Sequence, residues 1–169
     1  MILSQAINIR SCIVCFAHQS ENETISYFNA ETGHYHRFIY LTNGTLNTYV
    51  TDTEQVTEAD DIITLESNQV YDLSPTLKKY VTSIAINSDA TMAMFNPIPF
   101  DRDISVEVLK DQQSILLEPS DKRVTIVCLI GSIEANGKTL NSMQFAKVPT
   151  DKSVVVNLKD GDICAIVTG

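Results

Sequence analysis

Leu65-Glu-Ser-Asn-Gln-Val-Tyr-Asp-Leu73 can be laid on Leu140-Asn-Ser-Met-Gln-Phe-Ala-Lys-Val148. Leucine, serine and glutamine match outright, and both ends of each stretch are apolar. A proline follows each closely, Pro75 and Pro149, out of step by one. A second block lies upstream. Residues 38–44 followed by Thr45-Leu46 resemble residues 126–131 followed by Ser132-Ile133, and both reach a glycine, Gly44 or Gly131. A third lies downstream, where Ser88-Asp89-Ala90-Thr91-Met92 aligns with Gly161-Asp162-Ile163-Cys164-Ala165. Three strand–turn–strand blocks in the same order indicate an internal repeat. The first copy carries about a dozen extra residues, the acidic stretch around 51–61.

Around these blocks the chain reads as strands. Segments 7–16, 24–28, 38–42, 45–50, 62–65, 70–73, 80–86 and 91–95 are short and rich in β-branched and aromatic residues. So are 104–109, 114–117, 124–130, 132–135, 143–148, 154–158 and 163–167. Asn43-Gly44, Asn87-Ser88-Asp89, Asn136-Gly137 and Asp160-Gly161 separate them, and these residues tolerate the positive φ of tight hairpins. Many short strands at even spacing specify an all-β sandwich or barrel. Residues 53–60 are the best helix candidate and read as an acidic loop or one short turn. Asn96-Pro97-Ile98-Pro99-Phe100 places two prolines where a central strand cannot run. It divides the chain into lobes 1–98 and 99–169.

The 169 residues are 44% hydrophobic and 20% charged, a globular composition. A net charge of -9, from 21 acidic and 12 basic residues, keeps the chain soluble and repels phosphate backbones and anionic membranes. Nucleic acid and membrane are therefore not expected partners. No apolar run approaches the ~20 residues of a membrane span, and the start of the chain lacks a secretion pattern. A cytoplasmic location is expected, or a virion. Cys12, Cys15, Cys128 and Cys164 lie in or beside apolar runs and read as buried reduced thiols. Cys12 and Cys15, three apart on a strand, point to opposite faces and cannot share a metal. There is no nucleophile-elbow serine and no glycine-rich phosphate loop.

The chain resembles the cupins, whose fold is a double-stranded β-helix (jelly-roll) barrel. Residues 127–137 are similar to a cupin hairpin, 140–149 to the strand entering the second cupin motif, and 160–167 to the closing strand. In the first half, Gly33-His34-Tyr35-His36 is similar to the start of the first cupin motif. The resemblance covers most of residues 24–169. It implies two cupin-like lobes, bicupin fashion, sharing one compact unit. It also implies a metal held by three imidazoles and a carboxylate. His34 and His36 have the spacing to share an ion. In place of the expected glutamate stand Arg37, Phe38, Ile39 and Tyr40, and Tyr80 stands at the third histidine. In the second lobe Asp121-Lys122-Arg123-Val124 replaces the histidine pair, and Val154 the last histidine. That lobe is expected to be scaffold.

The candidate site is thus His34, His36, Arg37 and Tyr80. It would bind an anionic or sugar-like ligand at the barrel mouth, or at most one divalent metal ion on His34 and His36, with Tyr80 or Glu31 as a third ligand. His18 reads as an exposed loop residue. The function expected is that of a small binding protein or vestigial enzyme, with isomerase- or dioxygenase-like chemistry if any. The alternative is a structural or assembly module, of a virus or phage particle for example. An open edge at 7–16 makes a homo-oligomer expected in either case.

Overall fold

The computed structural model describes residues 2–19, 24–25, 28–29, 34–35, 37–51, 61–73, 80–86, 89–99 and 102–169. Among them there are strands and turns and no helix. The residues 53–60 expected as a loop or short turn lie outside the described residues. Two units divide the chain: 1–6 with 12–100, and 7–11 with 101–169.

In the first unit, β2 (Cys12–Gln19), β6 (Phe38–Asn43), β9 (Val70–Asp72) and β11 (Ala90–Pro97) form one sheet in the order β2-β11-β6-β9. The strand β1 (Ile2–Asn8) adds to its β2 edge. A second sheet has the order β3-β10-β7-β8, from β3 (Thr24–Ile25), β7 (Thr45–Thr51), β8 (Asp61–Glu66) and β10 (Tyr80–Ile86). The short β4 (Phe28–Asn29) and β5 (His34–Tyr35) pair with each other. All pairings for which a register is known here are antiparallel.

The second unit repeats this order. Its first sheet is β12-β19-β14-β17, from β12 (Ser105–Lys110), β14 (Val124–Ile130), β17 (Phe145–Lys147) and β19 (Ile163–Thr168). Its second is β13-β18-β15-β16, from β13 (Gln113–Leu117), β15 (Ser132–Ala135), β16 (Lys138–Asn141) and β18 (Val154–Leu158).

The repeat extends to single hydrogen bonds. Asn68 and Met143 occupy the same place in the aligned stretches, and both have positive φ, 68° and 61°. The Asn68 N–H donates to the Leu41 carbonyl at 2.8 Å, and the Met143 N–H to the Cys128 carbonyl at 2.7 Å. Five residues on, Leu73 N–H donates to Arg37 and Val148 N–H to Val124. Leu41 therefore corresponds to Cys128. Leu41 faces Met92 across its ladder, and Cys128 faces Cys164. Met92 thus corresponds to Cys164, one step away from the sequence alignment of the third block. A register shift in each ladder, at Thr91/Met92 and at Cys128/Ile130, is where spacing by sequence loses count.

Gly44 and Gly131 turn the chain from one sheet to the other at matching corners, with φ of 86° and 88°. A Cβ on Gly44 would lie 2.6 Å from the Asp89 carbonyl oxygen, and one on Gly131 would fall on the Asp162 carboxylate. That carboxylate accepts the Ser132 N–H at 3.2 Å and the Lys159 N–H at 2.8 Å, tying two turns together.

Three expectations change. Residues 7–16 are not one strand: β1 ends at Asn8, Arg10 takes a φ of 75°, and β2 begins at Cys12. Arg10 N–H donates to the Asn8 side chain, so an asparagine closes the turn without glycine or proline. β2 lies between β1 and β11, so it is not an open edge. His18 is exposed but stands on β2, with Nδ1 2.8 Å from the Thr91 hydroxyl.

Each unit has its own apolar core. In the first it comprises Cys15, Ala17, Ile39, Leu41, Leu46, Leu65, Leu73, Ile86, Ala90, Met92 and Met94. In the second it includes Ile126, Cys128, Ile133, Val154, Val156, Leu158, Cys164 and Ile166. The alternation of these residues along their strands identifies the inward face of each barrel.

Candidate functional site

Three buried polar side chains break the apolar lining of the first barrel. On β2 the inward positions run Ile13, Cys15, Ala17 and then Gln19, which faces the core residue Ala90 across the ladder. On β7, Thr48 follows Leu46 on the inward face and lies opposite Ile84 and Ile63. On β11, Asn96 continues the row of Ala90, Met92 and Met94. All three are 0% exposed. Among the described residues, neither polar atom of the Gln19 side chain has a hydrogen-bond partner, nor does the Thr48 hydroxyl or Asn96 Nδ2. Asn96 Oδ1 is used, accepting the Arg37 N–H at 3.2 Å.

An unpartnered buried polar group costs about 1–3 kcal/mol. Proteins retain such groups where something other than the core requires them. The Gln19, Thr48 and Asn96 side chains carry no formal charge. What they offer is neutral donors and acceptors: an amide with both, a hydroxyl with both, and an amide NH2.

The second barrel differs at the position matching Thr48. Thr48 corresponds to Ala135, two residues after the Leu46–Ile133 pair of the repeat. Val154, which stands where the resemblance places a histidine, is a core residue at 5% exposure. Thr125 also has an unpartnered hydroxyl, but it alternates with Ile126 and so lies on the opposite face of β14. The buried lining of this barrel is apolar.

The residues singled out from sequence fall as follows. His34 is on β5, with its backbone opposite Asn29, and Tyr80 begins β10 opposite Thr51. The side chains of both lie outside the described residues, as do His36 and Glu31 altogether. Arg37 precedes β6. Its Nε is 3.4 Å from Asp72 Oδ1, and its guanidinium lies 4.9 Å from the centre of the Phe38 ring. The arginine is thus engaged by an opposite charge and an aromatic face. Gln19, Thr48 and Asn96 were missed by sequence reading. A polar residue closing an apolar alternation, as in Ile13-x-Cys15-x-Ala17-x-Gln19, was the available signal.

Among the described residues no group of three or more histidine, cysteine, aspartate or glutamate side chains could hold a metal. Phe38, Ile39 and Tyr40, in the stretch where a carboxylate would be needed, are buried. The described residues alone do not supply such a set, and the His34, His36, Tyr80 and Glu31 side chains lie outside them.

The cysteines are all buried. Burial pushes the Cys15 thiol up to about 11. It pushes Cys128 up to about 11, with the Asp162 charge adding to the effect. Cys164 rises to about 12, again chiefly by burial. At pH 7.5 the reactive thiolate is a negligible fraction of each. A colorimetric disulfide reagent at that pH should leave these thiols unlabelled in the native protein for many minutes. It should react with all four cysteines at once in urea. Fast native labelling would mean that the barrels open readily.

No protein-family model matches the sequence, and no curated protein matches it. Solved structures do match. HutD from Pseudomonas fluorescens SBW25 aligns with a TM-score of 0.54 at 13% identity, over 99% of this chain and 85% of that one. Quercetin 2,3-dioxygenase from Acinetobacter baumannii aligns with a TM-score of 0.54 at 11% identity, over 99% and 75%. The pirin YhhW from Escherichia coli, solved in complex with nickel(II), aligns with a TM-score of 0.53 at 8% identity, over 94% and 82%. Identities this low speak to architecture alone. With its two sheets per unit and its repeated strand order, the chain has the double-stranded β-helix fold of the cupin superfamily.

Proposed function

We propose that this is a ligand-binding cupin-fold protein whose first barrel takes a small, neutral, hydrogen-bonding molecule. The second barrel serves as scaffold. The observation that carries the reading is the set of unpartnered, fully buried Gln19, Thr48 and Asn96 side chains on the inward face of the first barrel. At the position matching Thr48 the second barrel has Ala135, a core residue. A ligand supplying complementary groups would recover the free energy those atoms lose on burial. Neutral amides and a hydroxyl select hydroxylated or amide-bearing molecules over ions, and sugars or polyols are the first class to try. His34, His36 and Tyr80, whose side chains lie outside the described residues, are the further candidates for contact with the same ligand. Among the described residues, exposed Leu116 and Val155 face each other across the β13–β18 ladder and Phe145 is exposed on β17, which leaves the alternative of an assembly module a small apolar patch to rest on.

Thermal unfolding in the presence of a panel of neutral sugars and polyols tests the reading. At least one should raise the midpoint in a saturable way, and the rise should vanish in Gln19→Leu and Thr48→Val. A panel without effect would count against this ligand class, and equal rises in wild type and variants against this site.

A nickel-bound pirin and a dioxygenase share the fold. The metal proposal for His34 and His36 therefore needs its own measurement, the metal content of the purified protein. A near-stoichiometric ion lost in both His34→Ala and His36→Ala would establish an ion there and add a metal to the ligand site. No uptake after incubation with iron, manganese, nickel or zinc would retire the metalloenzyme reading.

A further inference from the structure

The second unit has a cavity of about 280 Å³ that the barrel site does not involve, lined by Asp103, Ile104, Ser105, Lys122, Arg123, Thr168 and Gly169. It lies where the first residue of β12, the last of β19 and the segment entering β14 come together. Ser105 faces Thr168, and Thr168 faces Val124. The frame is tied by backbone bonds: Gly169 N–H donates to the Arg123 carbonyl at 2.8 Å, and Lys122 N–H to the Ser120 hydroxyl at 3.1 Å. A Cβ on Gly169 would lie 2.5 Å from the Asp103 carbonyl oxygen, so the walls meet closely there.

The charges are unusual for this chain. Acidic residues outnumber basic ones, 21 to 12, yet two consecutive cations line one cavity. Neither Lys122 nor Arg123 is in an ion pair among the described residues. Asp103 shares the cavity and is likewise unpaired there. Two cations with one carboxylate do not suit a bare inorganic dianion, which would leave Asp103 facing like charge. They suit a molecule carrying an anionic group and, beside it, a hydrogen-bond donor.

We infer that this cavity binds a small carboxylate whose α-position bears a hydrogen-bond donor. The carboxylate lies against Arg123 and Lys122, the guanidinium fork matching its two oxygens. The neighbouring hydroxyl or ammonium donates to Asp103, and the Ser105 and Thr168 hydroxyls supply further polar contacts. The site is independent of the first barrel and stands or falls without it.

The test is a titration of the whole protein, followed by amide shifts at Ser105, Arg123 and Thr168, with lactate, alanine, acetate and inorganic phosphate as probes. Lactate or alanine should give saturable shifts at these amides. Binding should weaken at least about tenfold in Arg123→Gln and Lys122→Gln. Asp103→Asn should bring lactate or alanine down to the level of acetate. Lys122, Arg123 and Asp103 have exposed or half-exposed side chains whose loss leaves the core intact, and unchanged dispersion of the spectrum checks this. No saturable shift with any probe would mean that the chain's own carboxylates neutralise the two cations, and would overturn the inference. Phosphate or acetate binding as tightly as lactate and alanine would overturn it too, by reducing the cavity to an unspecific anion trap.

Discussion

Gly131→Ala should cost about 4 kcal/mol of folding stability, whereas Gly137→Ala should cost about 1 kcal/mol. Both glycines have positive φ, 88° and 78°, so both alanines carry the left-handed penalty of roughly 1–2 kcal/mol. The surroundings differ. A Cβ at Gly137 meets nothing within 4 Å, while one at Gly131 lands on the Asp162 carboxylate. Moving that carboxylate aside breaks its bonds from Ser132 and Lys159, each worth roughly 1.5–3 kcal/mol as a bond to a charged group. Urea unfolding of the two variants beside the wild type measures the difference. Equal losses would show that Asp162 does not seat at this corner. Gly44 stands at the matching corner of the first unit, against the Asp89 backbone and Ala90.

The second large effect runs in the opposite direction. Thr48→Val should make the ligand-free protein more stable, by about 1–2 kcal/mol, and should abolish ligand stabilisation. Valine has the shape of threonine and suits a strand equally well. The exchange replaces an unpartnered hydroxyl by a methyl of similar size on the inward face that Leu46 shares. Gln19→Leu should act in the same sense, to a lesser extent because the side chains differ in shape. Gains in stability that coincide with lost binding are the expected mark of a site kept polar for a ligand.

Much of the fold was legible in the sequence because strands and tight turns announce themselves locally. Asn136, Gly137 and Gly161 adopt the positive φ that these turn pairs indicate. The Leu65 and Leu140 stretches are equivalent down to the hydrogen bonds of Asn68 and Met143. Register shifts are less legible. The third block of the repeat is off by one because an irregularity in each ladder changes the count without a sequence mark. The turn at Arg10 was hidden for a similar reason: it lacks glycine and proline, and an asparagine side chain closes it.

The site was harder to read. The resemblance supplies a pattern that points to His34, His36, Arg37 and Tyr80. The arginine proves to be engaged by Asp72 and Phe38. Gln19, Thr48 and Asn96 resemble ordinary surface residues until the alternation of each strand and the direction of the barrel are known. Their meaning depends on burial without partners, which arises only from the packing of two sheets. The cavity of Lys122 and Arg123 was passed over for a related reason. Those residues were read only as substitutes for lost histidines, whereas Asp103 and Thr168, distant in sequence, complete the cavity.

The most direct measurement of the central claim is the thermal midpoint of ligand-free Thr48→Val against wild type. A gain of 1 kcal/mol corresponds to several degrees in a chain of this size. The variant is expected to melt several degrees higher than wild type. A variant that melts lower would show that the Thr48 hydroxyl is satisfied within the folded protein, and would contradict the assignment of the first barrel as a ligand site.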